Sequence, residues 1–246
     1  MPIYEPRGVE YAIVSGHVSV MLEGGVRMPA YWSHPNIGGL FPSIALIHDW
    51  WGITPTERRL AQSLAQMGYY VIVPDLFDGK TAQNAQEAIA LVEALGERGY
   101  RGVDAALAVM EHHLRSNRNV AAVGLGMGGS LAFEAAIKRH DLEAAVAFYG
   151  FPQRYLGQFH AAHAPILAVY GSEEPYTKAP VIKRLRAELD ESPLDHELYV
   201  LEGVGRDFFA DGGAAATHAW ELMADFLAKH LSGEPRPHAH ADGAHR

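Results

Sequence analysis

A glycine-rich turn, residues 124–130 (GLGMGGS), stands where a catalytic nucleophile would be expected. An apolar run at 119–123 leads into it and a helical pattern at 130–139 follows. This order is typical of a nucleophile elbow, G-x-Nuc-x-G, which holds a Ser or Cys on a sharp strand-to-helix turn. The central residue here is Gly126, which tolerates the strained backbone but has no hydroxyl or thiol. The pattern therefore predicts the geometry of a covalent hydrolase without its reactive atom.

Ser130 offers a second interpretation of this stretch, because residues 128–132 (GGSLA) fit a loose G-x-S-x-A pattern. It lies about one turn into the following helix. Small residues at such a place serve close packing between helix and strand. We therefore expect Ser130 to have a packing role rather than a nucleophilic one.

Polar residues follow three further apolar runs, at 48–52 (HDWWG), 171–175 (GSEEP) and 203–208 (GVGRDF). Ligands of parallel sheets bind at the carboxyl ends of the strands, so these segments are candidate site positions. His48 ends a run that reads as a buried strand. We expect hydrogen bonds to satisfy this histidine rather than leave it free as a general base.

Short apolar runs alternate with helical patterns along most of the chain. The runs lie at residues 43–48, 70–73, 120–123, 144–149, 166–170 and 196–201. Thr54, Pro55 and Glu57 form a capping box with Pro at the first helical position. A later helix is predicted from an apolar stripe of Val103, Leu107, Met110 and Leu114. The alternation predicts an α/β fold, with a mostly parallel central sheet and helices on both of its faces.

The first forty residues follow a different pattern. Alternating segments at 17–22 and 28–32 flank a Glu-Gly-Gly turn, which predicts an antiparallel pair of strands. At 246 residues the chain suits one domain, which we assign to residues 1–231. Residues 232–246 form a tail rich in Pro and His, and we expect His238, His240 and His245 to be solvated rather than to bind a metal.

The composition excludes several classes of function. The net charge of −9 disfavours a nucleic-acid partner, and the absence of cysteine excludes a thiol nucleophile or thiolate-bound zinc. Residues 1–7 lack the pattern of a signal peptide, and no apolar run is long enough to suggest a membrane span. These observations predict a cytoplasmic protein that does not associate with membranes.

Taken together, these segments resemble the dienelactone hydrolase family, which has the α/β-hydrolase fold. The resemblance runs from about residue 16 to residue 231 and includes HDWWG, GYYVIVPDL at 68–76, the GLGMGG turn, GSEE and GVGRDFF. It implies a compact hydrolase that opens lactone or ester rings with a Cys (or Ser), His, Asp triad. Nucleophile, acid and histidine follow one another along the chain in the order of α/β-hydrolases.

Residue by residue, the resemblance implies that the triad is lost. The nucleophile position falls on Gly126, the acid on Glu174 and the histidine on Arg206, while the glutamate near the nucleophile falls on Asp49. Gly126 cannot form an acyl-enzyme. Arg206 stays protonated and cannot act as a general base. If the histidine loop is misaligned by one residue, Asp207 takes that position and restores neither group.

The resemblance also implies which residues surround the site. It places the oxyanion donors at the backbone N–H groups of Trp50 and Met127, and the family's loop aromatic at Phe208. Of Trp50 and Trp51, we expect one to form a pocket wall and the other to pack in the core. With the nucleophile replaced by glycine, we expect an open space beside free N–H groups at the start of the following helix, suited to a carboxylate.

Glu174 and Arg206 should lie within ion-pair reach, either as a salt bridge between two loops or as part of a ligand site. Our first hypothesis is a non-catalytic protein that binds a small carboxylate or lactone, with no cofactor and no metal. The second is an active ester or lactone hydrolase with another mechanism, such as water activated by Asp49 or Glu174. A partner-binding role through the outer surface is a third hypothesis, and no surface stripe supports it. The sequence does not indicate an oligomeric state.

Overall fold

The computed structural model describes residues 10–232, which contain one eight-stranded sheet. Its strands are β1 (Ile13–Met21), β2 (Arg27–Pro35), β3 (Phe41–Ile47), β4 (Tyr70–Pro74), β5 (Ser116–Leu125), β6 (Ala144–Phe148), β7 (Ile166–Gly171) and β8 (His196–Leu201). The order across the sheet is β1-β2-β4-β3-β5-β6-β7-β8. The β1–β2 and β2–β4 pairs are antiparallel and the other pairs are parallel, which confirms the predicted fold class and the antiparallel N-terminal pair.

The described residues also contain seven α-helices, of which five lie between strands and two follow β8. They are α1 (Pro55–Gln66), α2 (Ala85–Leu95), α3 (Arg98–His112), α4 (Met127–Lys138), α5 (Ala179–Asp190), α6 (Phe208–Asp211) and α7 (Gly213–Leu231). Every residue of β4, β6 and β7 is buried. Successive side chains of a strand point to opposite faces, so both faces of the sheet are covered, as predicted.

Local sequence signals explain where the helices begin and end. Helix α1 starts at a complete capping box, in which Thr54 Oγ1 accepts from Thr56 N at 3.1 Å and Glu57 Oε2 accepts from Thr54 N at 2.8 Å. The prediction for Leu114 is wrong: α3 ends at His112, and Leu114 is 93% exposed. The helix predicted from Ser130 already begins at Met127, because the glycines before it allow a tight turn.

The carboxyl ends of β3, β5, β6, β7 and β8 lie side by side, and the segments that follow them carry the candidate site. None of the helices within residues 10–232 is both long and apolar enough to cross a membrane. The three tail histidines, at 238, 240 and 245, lie outside the described residues.

Candidate functional site

The predicted elbow is present at the junction of β5 and α4. Gly126 has φ +52° and ψ −111° and caps the N-terminus of α4. The flanking glycines are required by close approach: a Cβ on Gly124 would lie 2.1 Å from the backbone of Gly128, and one on Gly128 would lie 2.2 Å from the Ile47 carbonyl oxygen. The glycine pattern therefore encodes the packing of α4 against β5 and β3.

The carboxylate of Asp49 fills the space beside Gly126. A Cβ added to Gly126 would lie 2.0 Å from Asp49 Oδ1 and 2.3 Å from Asp49 Oδ2. The expected open space is therefore absent, because a side chain from the loop after β3 has entered it. The family resemblance places Asp49 near the nucleophile position, but residue types alone do not indicate that its carboxylate occupies that position.

The two predicted oxyanion donors converge on one atom. The backbone N–H groups of Trp50 and Met127 donate to Asp49 Oδ1 at 2.7 Å and 2.8 Å. Convergence of two N–H groups on one oxygen is the geometry that stabilises an oxyanion. The prediction that the Met127 N–H is free is thus wrong, since Asp49 accepts from it.

Arg206 and Glu174 form the predicted ion pair. Arg206 NH1 lies 3.1 Å and 3.2 Å from the two oxygens of Glu174, and it also donates to the Tyr149 carbonyl oxygen at 3.0 Å. Backbone N–H groups of Tyr176 and Thr177 donate to Glu174 Oε1. The side chains of Arg206 and Glu174 are only 5% and 1% exposed, so water screens this pair little.

Three polar atoms of this cluster have no hydrogen-bond partner among the described residues: Asp49 Oδ2, Arg206 Nε and Arg206 NH2. Arg206 NH2 and Asp49 Oδ2 lie 3.6 Å apart, which is within ion-pair range but too far for a hydrogen bond. Buried polar groups are normally hydrogen-bonded, so these three atoms are the ones in the cluster that a ligand's polar groups could bind.

Three aromatic rings surround the Arg206 guanidinium. None of the three was predicted from the sequence. The central carbon of the guanidinium lies 4.6 Å from the ring centroid of Phe151, 4.9 Å from that of Tyr149 and 5.4 Å from that of Tyr176. These residues follow β6 and β7, so the rule that ligands bind at strand ends could have indicated them. Tyr149 also has φ +42°, a backbone strain of the kind that recurs at functional sites.

Burial raises the pKa of Asp49 to about 6. The Arg206 charge and the hydrogen bonds from Met127 and Trp50 oppose this rise, and the nearby Asp207 adds to it. Burial also raises the pKa of Asp207. Asp49 therefore changes charge near neutral pH, inside the cluster.

The remaining predicted residues are placed as follows. His48 is fully buried; Leu76 N donates to its Nε2 and its Nδ1 is bonded to the Asp49 carbonyl oxygen, so both ring nitrogens are satisfied, as expected. Ser130 Oγ donates to the Gly126 carbonyl oxygen and accepts from Phe151 N, which agrees with a structural role.

The aromatic residues predicted around the site differ in burial and in contacts. Trp50 and Trp51 are both half-buried, and Trp50 packs against the hydrophobic core, so the core contact we expected of one of the pair is made by Trp50. Their rings meet edge to face, and Trp50 also meets Tyr176. Phe208 is buried among the core rings of Phe148, Tyr149 and Phe209. Within the described residues, no three His, Asp or Glu side chains are arranged to hold a metal ion.

Comparison with known proteins identifies the family to which the fold belongs. Residues 28–231 match the model of the dienelactone hydrolase family. A carboxymethylenebutenolidase of Pseudomonas putida is 26% identical over 87% of this chain and 100% of its own length. A putative carboxymethylenebutenolidase of Aquifex aeolicus is 25% identical over 85% of this chain and 96% of its own.

Solved structures give the same result for the fold. A putative dienelactone hydrolase from Klebsiella pneumoniae superposes with a TM-score of 0.80 at 23% identity, covering 89% of this chain and 99% of that one. The family match spans all the segments that build the elbow and the Asp49–Arg206–Glu174 cluster. This chain therefore belongs to the dienelactone hydrolase family and has the α/β-hydrolase fold.

Proposed function

We propose that this chain binds a small carboxylate or lactone at the position of its family's catalytic site and does not hydrolyse it. The observation that carries the proposal is the position of the Asp49 carboxylate, beside Gly126 and on both oxyanion donors. Acyl transfer needs a nucleophile, a base and free donors for the oxyanion. Gly126 offers no nucleophile, Arg206 is no base, and Asp49 takes both donors.

The alternative is hydrolysis by water that Asp49 or Glu174 activates. Asp49 would have to serve as a base while its Oδ1 keeps the two N–H groups that the substrate oxygen needs. Glu174 Oε1 accepts from two backbone N–H groups, and Arg206 contacts both of its oxygens. Neither carboxylate is placed to act on a water beside free oxyanion donors, so the geometry favours binding without hydrolysis.

The chemistry of the site favours a carboxylate or a carbonyl group as the ligand. Two N–H groups and the start of helix α4 already hold one carboxylate, that of Asp49, and a ligand oxygen could replace it. Arg206 supplies two further donor nitrogens, Nε and NH2, that have no hydrogen-bond partner among residues 10–232. Asp49, Glu174 and Asp207 oppose a second anion while they are ionised, so protonation of Asp49 near pH 6 should strengthen binding.

Benzoate titration followed by tryptophan fluorescence tests this proposal, because Trp50 lies next to the site. We expect the wild type to bind benzoate more tightly at pH 5.5 than at pH 7.5. Asp49→Ala should bind it about tenfold more tightly at pH 7.5, since the internal competitor is gone. Arg139→Ala, which removes an arginine at the C-cap of α4, far from the N-terminus of that helix where the site lies, is a control and should bind like the wild type. Absence of binding to both wild type and Asp49→Ala at millimolar benzoate would refute the proposal.

Turnover of p-nitrophenyl acetate separates the two hypotheses. We expect the rate with the folded protein to equal that of a denatured control, because nothing at residue 126 can accept the acetyl group. Turnover that disappears in Asp49→Asn would instead favour the hydrolase hypothesis, in which Asp49 activates water.

A further inference from the structure

Asp49 occupies the place of the missing nucleophile, and its two oxygens differ in environment. Oδ1 accepts from the N–H groups of Trp50 and Met127, whereas Oδ2 has no hydrogen-bond partner among the described residues. The two N–H groups fix the orientation of the carboxylate. An unsolvated oxygen is left on the other side of it, and carboxylates of this kind can act as covalent nucleophiles.

We infer that Asp49 is a nucleophile toward electrophilic sp³ carbon, a reaction that the family's acyl-transfer chemistry does not include. The inference goes beyond ligand binding and does not depend on it. The substrate class is that of small alkylating electrophiles, namely epoxides and alkyl halides.

The same contacts explain why sp³ rather than acyl carbon is the target. Attack on an ester carbonyl creates an oxyanion that needs the N–H groups of Trp50 and Met127, and Asp49 itself uses both. Displacement at an sp³ carbon places the developing negative charge on the leaving atom instead. Arg206 Nε and NH2 are buried beside Asp49 and have no hydrogen-bond partner among the described residues, with NH2 3.6 Å from Asp49 Oδ2, so the guanidinium charge is close enough to stabilise the charge on the leaving atom.

The reaction balances without a further reactant except water. A lone pair of Asp49 Oδ2 forms the new C–O bond, and the bond from carbon to the leaving atom breaks with both electrons going to that atom. A halide departs as the anion, whereas an epoxide oxygen becomes an alkoxide that takes a proton from water. The product is an alkyl ester of Asp49.

The ester should persist once it has formed. Its hydrolysis needs a base to activate water, and the residue at the histidine position is Arg206, which stays protonated. The reaction is therefore stoichiometric, one alkyl group per chain. Access requires movement of neighbouring side chains, and Tyr176 is the exposed one of the three rings around Arg206, at 49%.

The experiment uses glycidyl phenyl ether, an uncharged epoxide with an aromatic group, and follows the intact mass and the peptide map of the full chain. The chain has no cysteine, so thiol alkylation cannot obscure the result. We expect one adduct on Asp49, formed at least about tenfold faster than on any other carboxylate. Hydroxylamine should remove it, because it cleaves esters and leaves alkylated His or Lys intact.

Two comparisons decide the outcome. Asp49→Asn should lose the adduct, whereas Asp75→Asn, the same change at the end of β4, should keep it. Since Asp49→Asn could fold poorly, the wild type is also labelled in denaturant, where the preference for Asp49 should vanish. Labelling of Asp49 no faster than other carboxylates in the folded wild type would overturn the inference, even if benzoate binds. If the epoxide alkylates Asp49 but the unmodified protein does not bind benzoate, only the proposed function is refuted.

Discussion

Arg139 and Arg206 lie near opposite ends of helix α4, and each faces several carboxylates. All three guanidinium nitrogens of Arg139 donate hydrogen bonds, to Asp104, Glu111 and Asp141 at 2.7–3.2 Å. In Arg206 only NH1 donates, to Glu174 and to the Tyr149 carbonyl oxygen. Its Nε and NH2 have no hydrogen-bond partner in the described part of the chain, and NH2 faces Asp49 Oδ2 at the ion-pair distance of 3.6 Å.

Exposure differs between the two clusters as well. The carboxylates around Arg139 are 20–48% exposed, whereas those of Asp49 and Glu174 are 5% and 1% exposed. Arg139 is itself only 10% exposed, but its nitrogens all donate and its carboxylate partners are partly solvated, so it ties α4 to its neighbours and needs no ligand. A buried arginine with unused donors has a stability cost that a bound molecule could relieve. The comparison therefore supports a structural role for Arg139 and a binding role for Arg206.

Removing each arginine should separate the two roles most strongly. We expect Arg206→Ala to lower the free energy of unfolding by about 3–5 kcal/mol, because it leaves Glu174 and Asp49 buried without a cation. Arg139→Ala should cost less than about 2 kcal/mol, since water can solvate its partners. Urea unfolding at pH 7 measures both. Equal losses would mean that the clusters do not differ in the way described.

The contributions of Asp49 and Asp141 to stability should depend on pH with opposite signs. The pKa of Asp49 in the folded chain is about 6, above its ordinary value of 3.8, so the folded state binds more protons and stability falls as pH rises through this range. Asp49 should contribute about 2 kcal/mol to the fall between pH 4.5 and 7, and Asp49→Asn should remove that contribution.

Asp141, beside Arg139, provides the opposite case. Burial alone would raise its pKa, but the hydrogen bond from Arg139 leads the effects that outweigh burial, and the pKa is lowered. The ordinary pKa of this carboxyl is 3.8, so its contribution to stability is present above pH 3.8 and is lost as the pH falls below that value. Asp141→Asn should therefore change only the acid limb of a urea-unfolding series and keep the slope between pH 4.5 and 7. If Asp141→Asn also lost the slope between pH 4.5 and 7, that slope would belong to the Arg139 cluster and not to Asp49.

A pair of glycines tests whether the Asp49 carboxylate fills the space beside residue 126. Gly126 and Gly96 have nearly the same backbone, φ +52° and +51°, but a Cβ on Gly96 would meet only one atom, at 3.9 Å. Gly96→Ala measures the backbone strain alone. Gly126→Ala should cost at least about 1 kcal/mol more in thermal or urea unfolding, because the methyl group displaces the Asp49 carboxylate.

The double change Gly126→Ala with Asp49→Ala provides the control for this prediction. It should lose the excess cost, since the added methyl group then has space. An excess that persists in the double variant would show that Asp49 is not the group displaced.

Much of the fold could be predicted from local signals. Thr54 and Glu57 encode the start of α1, and the apolar runs encode strands buried on both faces. Leu114 was misassigned because a 3.6-residue period continued past the end of α3, where the chain leaves the core. The rings around Arg206 were missed because Tyr149, Phe151 and Tyr176 carry no motif, and only the packing of neighbouring strand ends brings them to one place.

The sequence by itself determined the family fold, the glycine at the nucleophile position, the arginine at the histidine position and the pairing of Arg206 with Glu174. These follow from residue types and their order, which fix what each position can do chemically. Only the tertiary structure decided that Asp49 occupies the oxyanion donors and that Arg206 keeps unused N–H groups. Both depend on distances of a few ångströms between side chains on different strands, set by how the loops after β3, β6, β7 and β8 pack together.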